Sequence, residues 1–266
     1  MPWSSQLECA LQAAALAGEI LRRRYSRRRS VQRKGWRDIV TDADLAAQRA
    51  AAEFLHAATP DYAILAEEGL HADLAGPAPL WVMDPLDGTQ NYAHHIPLFC
   101  VSLALVRGGQ SEVGVVYDPL RGETFFAERG GGAFLQVGRA RPRPIRVSKV
   151  SELSEAMVGL GWPREPELRQ RVNAATARVG AICQTLRAMG SAALNFAYVA
   201  AGRMDGLYHL AVQPWDTAAG SLLVTEAGGC LSAMDGGEWQ LGQSQVVVSN
   251  SYIHTALIRA LNWQGD

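Results

Sequence analysis

The apolar positions change period along the chain. Leu7, Leu11, Ala14, Ala15, Gly18 and Leu21 recur at helical spacing, which predicts a first helix ending near Tyr25. Ser5, with Glu8 three residues on, has capping-box spacing and predicts where that helix starts. Asp38-Ile39-Val40 reads as extended. Behind Thr41-Asp42-Ala43-Asp44 a second helix opens, with Leu45, Phe54 and Leu55 on its apolar side. Residues 63–66 and Trp81-Val82-Met83 are apolar runs of strand length. Residues 101–106, 112–117 and 123–127 are rich in β formers and parted by Gly-Gly and Pro-x-x-Gly turns, which predicts antiparallel pairing. Gly130-Gly131-Gly132 lacks the Lys-Ser/Thr and the helix of a phosphate loop, so it reads as a tight turn.

A Pro/Arg-rich join at residues 139–144 ends this regime, and strands then alternate with helices. Residues 156–160, 183–188, 206–212 and 246–248 read as extended; 165–179, 191–201, 214–228 and 253–261 read as helical. The expectation is a layered α/β (α+β) chain, one domain over residues 1–266. Its two lobes are placed at about 1–143, with an antiparallel sheet and the metal site, and 144–266, on the substrate side.

Composition narrows the function classes. A chain of 266 residues with 48% hydrophobic and 19% charged residues has the material for a large core. A net charge of -1 gives no general case for nucleic acid or membrane surfaces. Cys9, Cys100, Cys183 and Cys230 are scattered without a C-x-x-C pair, which fits a reducing cytoplasm and neither a zinc site nor a disulfide scaffold. No signal-peptide pattern and no apolar run of membrane-spanning length occurs. Arg22–Arg24, Arg27–Arg29, Arg33 and Lys34 form a basic run. Aromatic residues are sparse within it, so a solvated helix end is favoured over a nucleic-acid patch. His94-His95 before Pro97 reads as a turn, having no carboxylate at matching spacing.

The candidate chemistry lies in four acidic segments. Asp84-Pro85-Leu86-Asp87-Gly88-Thr89 sets two carboxylates three apart at a strand end, ahead of a short helical turn. Carboxylates suit Mg²⁺, and free N–H groups at a helix start suit phosphate oxygens. Asp, Pro and Gly are also ordinary turn formers. Glu67-Glu68-Gly69 ends an apolar run, and Trp215-Asp216-Thr217-Ala218-Ala219-Gly220 opens another helix. Asp42 and Asp44 lie near the front. Thr41 with Asp44 also fits a capping box, and Asp216 fits a helix cap, so both retain a structural reading.

The stretches D-P-L-D-G-T-x-N-Y (residues 84–92), W-D-x-A-A-G (215–220) and D-x-V-T-x-A-D (38–44) together resemble the inositol monophosphatase family, over about residues 38–250. The resemblance implies an α-β-α-β-α sandwich of the inositol monophosphatase / fructose-1,6-bisphosphatase type, assembled as a homodimer. It implies two or three Mg²⁺ per site. Glu67, Asp84 and the Leu86 carbonyl would hold the first, and Asp84, Asp87 and Asp216 the second; a third would lean on Glu67. Asp44 and Thr89 match the water-activating pair, and Glu67 joins the catalytic set. Asp87, Gly88, Thr89, Gly190, Ser191, Ala192, His209 and Asp216 fall at substrate contacts. His209 departs from the family, which commonly carries a ring-binding Glu there, and Trp162 loosely takes the place of a small polar residue. The implied activity is hydrolysis of inositol 1-phosphate by an activated water. The alternatives are the same chemistry on fructose 1,6-bisphosphate or another sugar phosphate, a nucleoside 3′,5′-bisphosphate, NADP or histidinol phosphate. A rival of another class is an RNA- or protein-binding regulatory protein on this fold.

Overall fold

The computed structural model describes residues 3–26 and 30–262. Arg27–Arg29, part of the basic run, lie outside the described residues.

Helix α1 (Ser5–Tyr25) is capped one residue earlier than its sequence predicts. Ser4 is extended and its hydroxyl accepts the Leu7 N–H at 3.1 Å. A hairpin of β1 (Val31–Gly35) and β2 (Asp38–Thr41) leads into α2 (Asp42–Ala58). Strand β1 left no signature in the apolar pattern because all five of its residues face solvent. Ala10, Ala13, Ala14 and Ala17 of α1 and Ala43, Ala47 and Ala51 of α2 are all buried, and such small faces let the two helices pack closely.

The chain then builds a sheet from β3 (Ala63–Ala66), β4 (Leu80–Asp87), β5 (Cys100–Arg107), β6 (Gln110–Asp118), β7 (Glu123–Glu128), β8 (Gly132–Val137) and β9 (Arg143–Pro144), with α3 (Thr89–Ala93) between β4 and β5. The seven strands lie in chain order; β3 and β4 are parallel and every other pair is antiparallel. Alternate residues of this sheet face opposite ways. Trp81, Met83, Leu103, Val115 and Phe126 pack with α1 and α2, whereas Val82, Ala104, Val116 and Phe125 pack with residues of the second half of the chain.

That half contains β10 (Met157–Leu160), α4 (Pro166–Gly180), β11 (Thr185–Arg187), α5 (Ala192–Ala200), β12 (Gly206–His209), α6 (Pro214–Glu226), β13 (Cys230–Ser232), β14 (Val246–Ser249) and α7 (His254–Leu261). Its five strands are ordered β11-β10-β12-β14-β13, parallel across the first three and antiparallel beyond. Phe196 of α5 and Leu223 of α6 share one core with both sheets, while Val172, Val179 and Leu257 of α4 and α7 cover the far side of the second sheet. The layers are therefore helix pair, sheet, helix pair, sheet, helix pair: an α-β-α-β-α sandwich. Among the described residues no helix is long and apolar enough to cross a membrane.

Helix α6 is wedged into the middle layer. A Cβ on Gly220 would stand 2.4 Å from Cβ of Phe196, and one on Gly114 of β6 would stand 2.8 Å from the Ala219 carbonyl oxygen. Gly220 and Gly114 thus set how deeply the start of α6, with Asp216, sits against the first sheet.

Candidate active site

The ladder between β4 and β5 slips between Asp84 and Asp87, where Pro85 has no N–H to donate. The slip turns both carboxylates toward the first turn of α6. Ligand atoms of Asp84, Asp87 and Asp216 lie within 4.8 Å of one another. Each is anchored locally. Oδ1 of Asp84 accepts the Leu86 N–H at 2.8 Å. Oδ2 of Asp216 accepts the Gln213 N–H at 2.7 Å, so the capping role and a place in the cluster coexist. Asp87 sits on the start of α5: Oδ2 accepts from the Ser191 hydroxyl at 2.5 Å and the Ala193 N–H at 2.7 Å, and Oδ1 from the Ala192 N–H at 3.2 Å. The helix dipole favours a negative charge there. Ser191 and Ala192, expected to touch the sugar, thus spend these groups on holding Asp87.

The turn before α5 is fastened to α3. Asn91 Nδ2 donates to the Leu98 and Met189 carbonyls at 2.7 and 2.8 Å. Gly190 has φ +76°, and a Cβ there would stand 2.8 Å from the Asn91 amide, so this crossing needs a glycine. Gly88, in the left-handed region with φ +96°, precedes α3, whose first turn has no side-chain cap.

Burial, then the charges of Glu67, Asp87 and Asp216, push the Asp84 carboxyl well above its ordinary pKa. Asp216 is pushed well up by burial and then by Asp87. Asp87 is also raised by burial, against the opposing bonds from Ser191, Ala193 and Ala192. Two buried carboxylates and a half-buried third that repel one another form an oxygen-only donor set, which fits a hard cation such as Mg²⁺.

Thr89 and Asp44 meet beside this cluster. The Thr89 hydroxyl lies 3.2 Å from Asp44 Oδ1 and 3.0 Å from the Leu86 carbonyl oxygen; its single proton can serve only one of them at a time. Asp44 Oδ2 accepts the Thr41 N–H at 3.0 Å and the Thr41 hydroxyl at 2.5 Å, completing the capping box of α2. Burial raises Asp44 to about 6, opposed by the Thr41 bonds and helped by the charges of Glu68 and Glu67.

Glu67 stands apart from the carboxylate triad, though its charge reaches Asp84. Lys34 Nζ donates to Glu67 at 3.0 Å and to Glu68 at 2.7 Å. Burial works against the Lys34 charge, but its bonds to Glu68 and Glu67 and their charges outweigh this and raise its pKa. Lys34 lies in the basic run, and only the fold brings it onto these two acids. Arg22, Arg23 and Arg24, in the last turn of α1, fit a helix end: Arg22 and Arg23 pair with Glu19, and Arg24 with Asp42. His94 caps the end of α3 and His95 follows in the left-handed region; neither belongs to the carboxylate cluster.

His209 ends β12. Its neighbour Tyr208 faces the outer layer, 2.8 Å from the Thr176 hydroxyl, so His209 points inward. A Cβ on Gly161 would fall 1.9 Å from the His209 ring, which therefore lies directly against that glycine, next to Trp162. His209 Nδ1 accepts the Ala211 N–H at 3.1 Å, and burial lowers the ring to about 4. The ring is neutral at pH 7 and its remaining nitrogen, Nε2, carries the proton.

Within an α-β-α-β-α sandwich, carboxylates gathered at a strand end and a helix start form a donor set that could hold a metal ion. The chain matches the Inositol monophosphatase family over residues 3–265. It is 40% identical to the inositol-1-monophosphatase of Mesorhizobium japonicum, across 98% of this chain and 97% of that protein. It is 37% identical to Nus factor SuhB of Escherichia coli K12, across 95% and 94%. Among solved structures, the extragenic suppressor protein suhB of Bartonella henselae matches with a TM-score of 0.90 at 37% identity, covering 97% of this chain and 98% of that one. The IMPase of Thermotoga maritima matches with a TM-score of 0.89 at 35% identity, covering 97% of each. The chain belongs to the inositol monophosphatase family, a family of metal-dependent phosphomonoesterases.

Proposed function

We propose that the protein is a Mg²⁺-dependent phosphomonoesterase that hydrolyses inositol 1-phosphate and tolerates other small phosphate esters. The observation that carries this is the Asp84, Asp87 and Asp216 triad beside the Thr89–Asp44 pair. Glu67, Asp84 and the Leu86 carbonyl would hold one Mg²⁺, and Asp84, Asp87 and Asp216 another. When bound, the ions supply positive charge for the phosphate and the leaving oxygen and make water more acidic. Thr89 accepts a proton from the attacking water as its own moves to Asp44 Oδ1. The water oxygen bonds to phosphorus, the ester P–O bond breaks, the departing alkoxide takes up a proton from solvent, and Asp44 gives its proton back to solvent. Gly88 and Thr89 offer backbone N–H groups to the phosphate.

His209 supports the wider substrate range. A carboxylate can accept from two neighbouring hydroxyls, whereas this neutral ring offers one N–H toward a ligand. Charge-assisted hydrogen bonds contribute about 1.5–3 kcal/mol against about 0.5–1.5 for neutral ones, so the inositol ring loses roughly tenfold in discrimination. The relatives named inositol-1-monophosphatase support inositol 1-phosphate as the first ester to assay. A cytoplasmic homodimer is part of the proposal. A binding role is the second reading, favoured by the relatives named Nus factor SuhB; salt-sensitive RNA binding lost on changing Arg27–Arg29 to Gln would support it.

The test is kcat/KM for inositol 1-phosphate, glycerol 2-phosphate, fructose 1,6-bisphosphate and adenosine 2′-phosphate with Mg²⁺, on wild type and His209→Glu. The expected result is broad activity, abolished by chelator, that narrows toward inositol 1-phosphate in the variant. Turnover in excess chelator would refute the metal assignment, and hundredfold selectivity of wild type for inositol 1-phosphate would refute the role of His209.

A further inference from the structure

Two surface segments meet at a salt bridge, one from each half of the chain. Arg164, in the loop between β10 and α4, reaches across to Asp38 of β2 with Nη1 2.7 Å from Oδ2. The β1–β2 hairpin is tied to the site by two further contacts. Lys34 holds Glu67, and Gln90, the residue after Thr89, places Nε2 3.5 Å from the Arg37 carbonyl oxygen. The opposite loop is tied down by Gly161 lying on His209 and by Arg164, whose charge is felt at Asp216. The two segments are therefore the facing edges of one rim.

Each edge carries an indole. Trp36, two residues before Asp38, is 60% exposed, and Trp162, two residues before Arg164, is 48% exposed. Neither belongs to a hydrophobic cluster among the described residues. Each has one ring face backed by a guanidinium: Arg37 Cζ lies 3.9 Å from the Trp36 ring centre, and Arg169 Cζ lies 5.3 Å from that of Trp162. Each indole thus carries a cation on one face while about half of the residue stays in water. Arg37 adopts φ +59°, a region that non-glycine residues seldom occupy, while its guanidinium stands over Trp36.

We propose that this rim is a stacking site for a flat π-bearing group on the leaving alcohol, so that among small phosphate esters the protein favours nucleoside phosphates. The proposal rests on the phosphatase reading above and adds the substrate class to it. A base offers a π face to an indole whatever its sequence identity, and the cations behind the rings strengthen that contact. A polyol ring carries hydroxyls around its edge and has no such face. Arg37 and Arg169 also leave positive charge beside the rings for a second phosphate on the nucleoside.

The experiment compares adenosine 2′-phosphate with glycerol 2-phosphate, with Mg²⁺, on wild type, Trp162→Ala, Trp162→Phe and Trp36→Ala. The ratio of the two kcat/KM values is expected to fall on the order of tenfold in each alanine variant, mainly through KM, and to recover in Trp162→Phe. Calorimetric binding of the same two esters to Asp44→Asn protein, alone and combined with each Trp change, reads the contact without turnover. There the adenosine ester is expected to bind the more tightly, and only its advantage shrinks. Equal ratios across the Trp variants, or equal losses for both esters, overturn the stacking site. Wild type that hydrolyses neither ester nor inositol 1-phosphate overturns the phosphatase reading instead, and the binding arm still separates the two failures.

Discussion

Asp44 divides its carboxylate between two tasks. One oxygen closes the cap of α2 on Thr41, and the other faces the Thr89 hydroxyl. A base at about 6 is largely ionised at neutral pH yet still takes up a proton readily. Protonation below that value removes the acceptor. The kcat/KM profile should therefore fall on its acid side with a midpoint near 6, about tenfold per pH unit below it, and Asp44→Asn should lack this limb. Thr89→Ala and Asp44→Asn should each lower kcat far more than they change KM. If the two act as one unit, the double variant should be little worse than either; multiplicative losses in a kinetic cycle would assign them separate roles. Asp84→Asn should abolish turnover while keeping an oxygen for the Leu86 N–H. Because it removes a buried charge repelled by Asp87, Asp216 and Glu67, its metal-free melting temperature should not fall below that of wild type. Calorimetry checks this, and a large fall would mark Asp84 as a structural residue.

At the scale of elements, the site depends on how closely α6 is seated. Gly220 against Phe196 and Gly114 against the Ala219 backbone leave no room for a methyl group. Gly220→Ala should destabilise by about 1–3 kcal/mol through overpacking. For a chain of this size that is roughly 2–4 °C of melting temperature per kcal/mol. The same displacement moves Asp216 relative to Asp84 and Asp87, so kcat should fall more than stability alone explains, and the fall should persist well below the melting temperature. Gly228→Ala is the control: its positive φ strains an alanine, but a Cβ there meets nothing within 4 Å, and it lies at the far end of α6. Loss of stability without loss of kcat in both variants would disconnect α6 seating from catalysis.

At the scale of the whole molecule, the carboxylate cluster makes metal and pH part of folding. Asp84, Asp87 and Asp216 have folded pKa values above the ordinary 3.8. In the window above 3.8 the folded state therefore holds more protons than the unfolded chain. Without metal, these groups contribute stability at low pH that is lost as pH rises through their raised values. Mg²⁺ binding to the ionised cluster reverses this and raises the melting temperature with concentration. Scans at several pH values should show wild type losing more stability than Asp84→Asn between about pH 4 and neutrality without metal. The two should also differ in their gain from Mg²⁺. Identical pH slopes would mean that the cluster does not carry the charge assigned to it.

The chain by itself determined what periodicity and short-range motifs encode. The helices of α1, α2 and α4–α7, the antiparallel run from β5 to β7, and the acidic motifs around Asp84 and Asp216 were legible because each depends on residues close in sequence. The cap on Thr41 was local as well, and so was the capping bond of Asp216, which reaches back to Gln213 from the third residue of α6. Tertiary structure decided the rest. Strand β1 faces water throughout and has no apolar period, so nothing local marked it or placed Lys34 on Glu67. The pairing of Asp87 with the start of α5 joins residues more than a hundred positions apart, and that of Asp38 with Arg164 spans the two halves of the chain. Such contacts depend on how the layers stack, and stacking is set by summed packing across both sheets rather than by any single stretch. The same holds for His209. The chain gave its identity, while the Ala211 N–H on Nδ1 and the glycine beneath the ring decided which nitrogen carries its proton.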